Sequence, residues 1–267
     1  MKRLGWVGMF VLGCTLGVRA EGAFETEQPL GDVQAVALDL PSTPVSVLGC
    51  DRAVEASCPD ALQLSGRWHA VGGSASQARH NAGRPSLTFD PYGGLMRVSA
   101  DVPFDIEGLV DLELDAVGLP GDVDIEVRTS LGDVAVRSMT SAVLVDTAVG
   151  DVDVRGEMRS TGVHVGEGQV VVVGPGPIEV HADDGGVRIE QTAGAAEATV
   201  VAPLGGVELL LGGDSDVDLR VHTRGRIRVQ TDAFSAATTG LYRARSGSGT
   251  FRIDIEAGGD VAIRLRG

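Results

Sequence analysis

Lysine is almost absent from this sequence of 267 residues, because Lys2 is the only one and the other basic residues are arginines. Schiff-base chemistry and phosphate-binding loops both depend on a lysine amine. Lys2 stands at the extreme N-terminus, in a segment with the features of a leader. The sequence therefore excludes both kinds of site.

Aromatic residues make up only 4% of the chain, and Trp68 is the only tryptophan beyond residue 20. A long platform for sugar rings needs more aromatic side chains than this. No serine, cysteine or histidine motif has the spacing of a catalytic nucleophile. A carbohydrate-active β-helix enzyme, a polysaccharide lyase or hydrolase, stays the alternative to a non-catalytic binding protein. Trp68 itself fits a cap on the end of the fold better than a ligand-stacking residue.

Long apolar runs are missing as well. Met1-Lys2-Arg3 is basic, residues 4–17 are apolar, and Val18-Arg19-Ala20 fits a small-residue cleavage site. Residues 1–20 are therefore predicted to be a secretory signal peptide, since a membrane anchor needs about 20 apolar residues. Val11-Leu12-Gly13-Cys14 also resembles a lipobox, which leaves a lipid anchor at Cys14 open.

The chain is acidic, and loss of residues 1–20, which hold three basic and no acidic side chains, would shift its net charge from −15 to −18. Nucleic acids and anionic membranes attract clustered positive charge, so neither is expected as a partner. The expected location is periplasmic, outer-membrane-associated or extracellular.

Only three cysteines occur, and Cys50 and Cys58 are the two beyond the leader. In an exported chain, an isolated close pair predicts a disulfide. A redox or metal role would need a C-x-x-C motif or further ligands nearby, and neither is present.

What the sequence does contain is a repeat. Short alternating runs of valine, isoleucine and leucine follow glycines that recur at a nearly constant interval. These glycines are Gly132, Gly150, Gly168, Gly186, Gly206 and Gly225. A second alternating run lies between successive glycines. A fixed period near twenty with two strands per period predicts a parallel β-solenoid, an all-β fold of about 18–20 residues per coil.

Within each coil, Val152 and Val154 are expected to point inward, and Asp153 and Arg155 outward, because neighbouring side chains in a strand alternate. The glycines are expected at the corners between strands, where φ is positive. Asp133 and Asp151 beside them fit turn hydrogen bonds better than metal ligation.

The region before the regular coils is also rich in strands but off the repeat. We divide the chain into the signal peptide (1–20), a β-rich capping region (21–109) and the repetitive solenoid (110–267). Residues 72–85, which are small and polar, are predicted to form an exposed loop.

The coil that begins at Gly225 closes only at Gly249, so residues 231–248 are predicted to hold an insertion, part of which leaves the wall of the solenoid. This insertion has two interpretations. It is a contact loop that presents an aromatic–arginine cluster, or it folds back through Phe234 and Leu241 to cap the last coils. The cluster comprises Phe234, Tyr242, Arg243 and Arg245.

Three histidines, His164, His181 and His222, are predicted to face outward on second strands. The expected register places His164 beside Glu179, and Asp146 two coils away from His181. Such a face could bind zinc or serve acid–base chemistry, although solvated surface histidines are common. No cofactor is expected.

The form Val-x-Thr-x-x-Gly-Asp-Val occurs at residues 127–134 and again at 145–152. It resembles the bacterial putative-adhesin domain family of unknown function, whose members are exported or membrane-attached repetitive β-solenoids. The resemblance covers about residues 110–267, and Val187 and Val207 replace the aspartate in later coils. It implies a right-handed β-helix-like fold and adhesin-like binding of an envelope or surface ligand, protein or glycan, and it brings no catalytic residues.

Overall fold

The computed structural model describes residues 18–50, 58–106, 108–192, 196–212, 216–230, 235–245 and 248–265. Most of the predicted signal peptide, including Cys14, lies outside the described residues, and so does Phe234. Among the described residues, no helix has the length and apolar character needed to span a membrane.

The first part of the chain forms seven strands and one helix. They are β1 (Val18–Pro29), β2 (Ala35–Leu40), β3 (Val45–Cys50), β4 (Ala61–Gly72), α1 (Ala75–Ala82), β5 (Ser86–Tyr92), β6 (Leu95–Asp101) and β7 (Val110–Pro120).

The rest of the described chain consists of strands. They are β8 (Asp124–Leu131), β9 (Val134–Met139), β10 (Ala142–Val149), β11 (Val152–Gly156), β12 (Ser160–Glu167), β13 (Val170–Gly174), β14 (Ile178–Asp184), β15 (Val187–Gln191), β16 (Ala198–Ala202), β17 (Val207–Leu211), β18 (Val217–Gln230), β19 (Ser235–Arg245), β20 (Phe251–Ala257) and β21 (Val261–Leu265).

These strands pair in two parallel stacks, which β18 joins because it pairs in both. The first stack runs in the order β6, β2, β8, β10, β12, β14, β16, β20 and β18. The second runs in the order β7, β3, β9, β11, β13, β15, β17, β21 and β18. The result is an all-β, mostly parallel sheet of 21 strands that does not close on itself.

The core lies between the two stacks and is built from aliphatic side chains in register. In the second stack, Val154 lies between Val136 and Val172, and none of the three is exposed to solvent. Asp153 and Arg155 face outward, as the alternation predicts. Since each fully buried aliphatic side chain stabilises a fold by about 1.5–3 kcal/mol, these columns hold the two stacks together.

At the N-terminal end, the order of strands in space differs from their order in the chain. The β2–β3 pair lies between the coil formed by β6 and β7 and the coil formed by β8 and β9. The predicted capping region therefore contributes a regular coil as well as the end of the second stack. That end is made by β4 and β1, which add antiparallel strands beyond β7.

The C-terminal end shows the same kind of inversion. After β17 the chain skips one position to form β18, turns into the antiparallel β19, and returns to fill the skipped position with β20 and β21. The Gly225 coil therefore does not stack directly on the Gly206 coil, although the two are successive in the repeat. The insertion is also not a loop outside the wall, because β19 pairs along the whole of β18.

Glycines stack on one another at one corner of the coils. Gly132, Gly150 and Gly168 all have φ between 142° and 150°. The stack continues through Gly185 and Gly205, one position before the predicted Gly186 and Gly206, because the coil after Gly168 is shorter by one residue.

The aspartates beside these glycines act in the turns. The Asp133 carboxylate accepts a hydrogen bond from the backbone N–H of Asp151 at 2.9 Å, and the Asp151 carboxylate accepts one from Gln169 at 2.8 Å. Each side chain therefore links its corner to the next coil, as the turn interpretation predicts.

Trp68 lies on β4 and is only 4% exposed, with its ring centroid 6.1 Å from that of Phe24. It belongs to the core at the N-terminal end, so it caps the stack and offers no face to a ligand.

The prediction of a loop over residues 72–85 is wrong, because α1 forms there. Ser74 caps the helix by accepting a hydrogen bond from the Gln77 N–H at 3.2 Å. Ala78 is fully buried, and the helix packs closely because Gly22 and Gly72 have no Cβ: one at either position would lie 2.7 Å from helix backbone atoms.

Cys50 and Cys58 form a disulfide with their Cα atoms 5.7 Å apart, as the sequence predicts. Cys50 is the last residue of β3, so the bridge ties the end of this strand to a residue eight positions further along the chain, and its effect is local.

Candidate functional site

One column of side chains on the outward side of the first stack contains all three predicted histidines and is here called the outer ladder. Parallel pairing in register places one residue of each strand directly beside the next. From β2 to β18 the ladder consists of Asp39, Arg128, Asp146, His164, His181, Val201, Glu256 and His222.

The ladder corrects one part of the predicted register. His164 lies beside His181, not beside Glu179, whose partner is Gly162. Since His181 follows Glu179 by two positions, the expected alignment of these two coils was wrong by that amount. Asp146 is two coils from His181, as expected.

His222 is separated from the other two histidines. Because β20 is inserted between β16 and β18, His222 pairs with Glu256, and Val201 stands between that pair and His181. The structure thus brings together two of the three predicted histidines.

His164 and His181 form a compact polar cluster with two aspartates. The rings of the histidines meet edge to face, with centroids 5.3 Å apart. His164 Nδ1 is 3.2 Å from Asp146 Oδ1, and His181 Nε2 is 2.9 Å from Asp183 Oδ1. All four side chains are exposed. This arrangement offers two imidazoles and two carboxylates on one surface.

A groove runs beside the outer ladder on the same side of the molecule. Its volume is about 500 Å³, and residues of β6, β2, β8, β10, β12, β14 and β16 line it. Seven adjacent strands give six spacings of about 4.8 Å, so the groove is about 29 Å long. That length suits an extended chain better than a compact small molecule.

Small side chains make the groove. Ala142, Ser160 and Gly162 occupy outward positions that carry larger residues elsewhere in the stack. The exposed Leu144 lies against Gly162, since a Cβ at Gly162 would come within 2.9 Å of its Cδ1. The lining combines aliphatic, small and acidic side chains and includes no aromatic residue.

Four acidic residues border the groove: Asp124, Glu126, Glu179 and Glu197. Asp124 is bound by Arg159, with both carboxylate oxygens 3.0 Å from Nη2, and Glu126 pairs with Arg128. Within the described part of the chain, no arginine pairs with Glu179 or Glu197. Their end of the groove therefore keeps net negative charge.

No protein-family model matches the sequence, and neither does any sequence among the curated proteins. Seven chains among the solved structures match this one, including the three that follow. A putative cell adhesion protein from Clostridium sporogenes is 12% identical, with a TM-score of 0.37 over 92% of this chain and all of the other. A putative adhesin from Bacteroides fragilis is 11% identical, with a TM-score of 0.41, and the match covers 91% of this chain and 97% of the other. A putative adhesin from Parabacteroides distasonis is 8% identical, with a TM-score of 0.40, and the match covers 94% of this chain and 98% of the other. All three carry adhesion names, as the resemblance of the repeat predicts.

The predicted contact cluster at the C-terminal end is divided between two sides of β19. Tyr242 is half-buried and packs against the core, next to Val221 of β18. Arg243 and Arg245 are exposed on the outward side, and so is Leu241. Tyr242, not Leu241, therefore caps the last coil, and the arginines are the members of the cluster that are available for contact.

Tyr242→Ala should lower the melting temperature by several degrees, because it uncovers the last inward side chains of β18, a loss of about 1–2 kcal/mol. The double variant Arg243→Ala/Arg245→Ala should melt like the wild type, since both side chains are exposed. Thermal unfolding followed by circular dichroism measures both. An equal loss in the two variants would contradict the capping role of Tyr242.

Asp216 fixes the base of this hairpin. Its carboxylate accepts hydrogen bonds from Ser248, from Thr250 Oγ1 at 2.7 Å and from the Gly249 N–H at 2.5 Å. These donors, the serine first, lower the pKa of Asp216 from 3.8 to about 2. Because the folded pKa is the lower one, the contribution to stability is complete above pH 3.8 and is lost as the pH falls through about 2.

Sequence reasoning missed the groove, although a signal for it exists. Ala142, Ser160 and Gly162 are small residues at outward strand positions, where the neighbouring coils carry charged or branched side chains. Their continuation into one channel with the residues of β14 and β16 depends on the exact register, and that register was two positions off between β12 and β14.

Proposed function

We propose that this protein is an exported, non-catalytic surface or envelope protein that binds an extended ligand in the groove of the first stack, as an adhesin does. The observation that carries the proposal is the length of the groove, about 29 Å across seven strands. A rigid, strand-built channel holds a polymer with little loss of conformational freedom in the protein.

The charge of the groove favours a ligand with positive groups. Glu179 and Glu197 have no arginine partner in the described chain, and the net charge of the protein is −15. Cationic segments are attracted to such a surface and steered toward it. Amino-sugar polymers and basic peptide segments exposed on cell surfaces both have this character.

The disulfide and the leader-like N-terminus support export. The proposal includes cleavage after residue 20, with lipid attachment at Cys14 as the alternative, and a right-handed coil, which is the strong preference of parallel crossovers. It also keeps residue 109 as the boundary between the N-terminal region, which supplies the cap together with the coil of β2 and β3, and the repetitive solenoid beyond it.

Ala142→Trp should strongly weaken binding to the ligand, because a large ring on β10 fills the groove beside Leu144 and Ser160. Purified protein is applied to an array of cell-envelope glycans, chitosan oligosaccharides and arginine-rich or lysine-rich peptides. We expect the wild type to be retained on the cationic members of the array, less strongly as the salt concentration rises. The variant should lose at least about tenfold in affinity, which corresponds to about 1.4 kcal/mol of binding free energy.

Ala135→Trp is the matched control, since Ala135 is also half-buried at an outward strand position but lies in the second stack. It should bind like the wild type. Equal retention of both variants would show that the groove is not the binding surface. Product analysis on the same array tests the alternative function, because release of shorter sugars would identify a carbohydrate-active enzyme.

A further inference from the structure

We propose that His164, His181 and Asp183 form a binding site for a divalent transition-metal ion of the zinc class. One ligand atom from each of the three lies within 4.8 Å of the others. Among the described residues, this is the one group of three or more histidine, cysteine and acidic side chains with such spacing. The site is independent of the groove and of the proposed ligand.

The backbone holds the three residues in place. His164 and His181 are direct partners in the parallel pairing of β12 and β14, so their Cα atoms are about one strand spacing apart. Asp183 follows His181 by two residues and therefore points to the same side. The intervening Ala182 is fully buried, which anchors this part of β14 in the core.

The distances suit a metal ion with small side-chain adjustments. Zinc binds imidazole nitrogen at about 2.0–2.1 Å and carboxylate oxygen at about 2.0–2.2 Å in tetrahedral geometry. Two such ligand atoms are then about 3.4 Å apart. His181 Nε2 and Asp183 Oδ1 are 2.9 Å apart, and one ligand atom of each of the three residues lies within 4.8 Å of the others, so small movements of these exposed side chains would complete the site.

Asp146 supplies the outer support that metal-bound histidines usually have. Its carboxylate is 3.2 Å from His164 Nδ1, which leaves Nε2 free as the metal ligand. A carboxylate on the far nitrogen fixes the tautomer and orientation of the ring and makes it a better donor. Asp146 is thus a positioning residue, placed one coil below the site by the outer ladder.

The donor set selects the class of ion. Two imidazoles and one carboxylate suit zinc and its neighbours, whereas calcium and magnesium prefer oxygen ligands alone. Three protein ligands leave a fourth position open. His164 and Asp183 also border a depression of about 450 Å³, so that position has room for water or for a donor atom of a bound molecule.

Zn²⁺ binding to full-length protein purified without a histidine tag tests the site, by equilibrium dialysis with metal analysis and by titration calorimetry. We expect one saturable equivalent per chain. The double variant His164→Ala/His181→Ala should lose it, and Asp183→Asn should weaken it more than Asp146→Asn, which should cost about 10–100-fold in affinity. Bound Co²⁺ should give a visible absorption band that the double variant lacks.

His222→Ala is the matched control, because it removes one exposed histidine of the same outer ladder that lies outside the cluster. It should keep the full equivalent of Zn²⁺. The proposal fails if the wild type binds no saturable zinc, if the double variant keeps it, or if His222→Ala loses as much. Thermal melts without metal show whether each variant is folded. If the double variant does not fold, zinc binding is measured on the single variant His164→Gln instead. Retention of zinc by His164→Gln would overturn the proposed site.

Discussion

Val154→Asp is expected to lower the free energy of unfolding by about 3–5 kcal/mol, because it places a carboxylate without a partner in the core. Val154 is fully buried between Val136 and Val172, and the opposite stack closes the other side. No basic side chain reaches this column from the described chain. The damage should extend to the neighbouring coils, since each coil is held by the next.

Asp153→Val is the control one residue away. Asp153 accepts hydrogen bonds from Arg137 and Arg155 at 2.6 and 2.8 Å, and the bond with Asp153 raises the pKa of Arg155. Half-exposed ion pairs of this kind contribute about 0–1 kcal/mol, and valine suits an outward strand position. Denaturant unfolding of both variants measures the difference. Equal losses would mean that the strand faces are the reverse of those described.

Both the direction of these side chains and the outline of the coils could be predicted from the sequence. Alternation of Val152, Asp153 and Val154 fixes which face is buried, because a strand has a period of two. The turn role of Asp133 and Asp151 followed from their place beside glycines. These features depend only on residues that are close together in the chain.

The order of the strands at the two ends could not be predicted. The insertion of β20–β21 between β17 and β18 pairs Leu209 with Ile263, although the whole of β18, β19 and β20 lies between them in the chain. Any of the coils offers a similar aliphatic partner, so periodicity alone does not distinguish one neighbour from another. The short helix α1 was missed for a different reason, since its buried side chains are small and give no amphipathic pattern.

The candidate site was predicted only in part. The outward direction of His164 and His181 followed from alternation, whereas their contact depends on the exact length of the coil that joins them. An error of two residues in the register keeps each side chain on the same face of the strand but changes its neighbour on the next strand. For this reason the outward direction of the histidines could be predicted, whereas their pairing with each other could not. Asp183, which completes the cluster, was not among the residues predicted for this face.

Gly168→Ala is the second large effect, and it is expected to destabilise the protein by about 2–6 kcal/mol, the sum of a backbone and a packing cost. Gly168 has φ of 150°, in a region where an L-residue is strained by about 1–3 kcal/mol. A Cβ there would also lie 2.1 Å from the carbonyl oxygen of Gly150. That oxygen belongs to the backbone of the next coil, so relief requires the coils to separate, at an overpacking cost of about 1–3 kcal/mol.

Gly118→Ala provides the matched comparison, because Gly118 lies in β7 without a positive φ and its Cβ would meet only the Gln63 side chain at 3.6 Å. It should change stability by less than about 0.5 kcal/mol. Chemical denaturation of the two variants, each with its disulfide intact, gives the comparison. If Gly168→Ala unfolds at the same denaturant concentration as Gly118→Ala, the corner is not closely packed. A low midpoint for Gly168→Ala alone means that the glycine column sets the spacing of the coils, and that a side chain at this corner forces Gly150 and Gly168 apart.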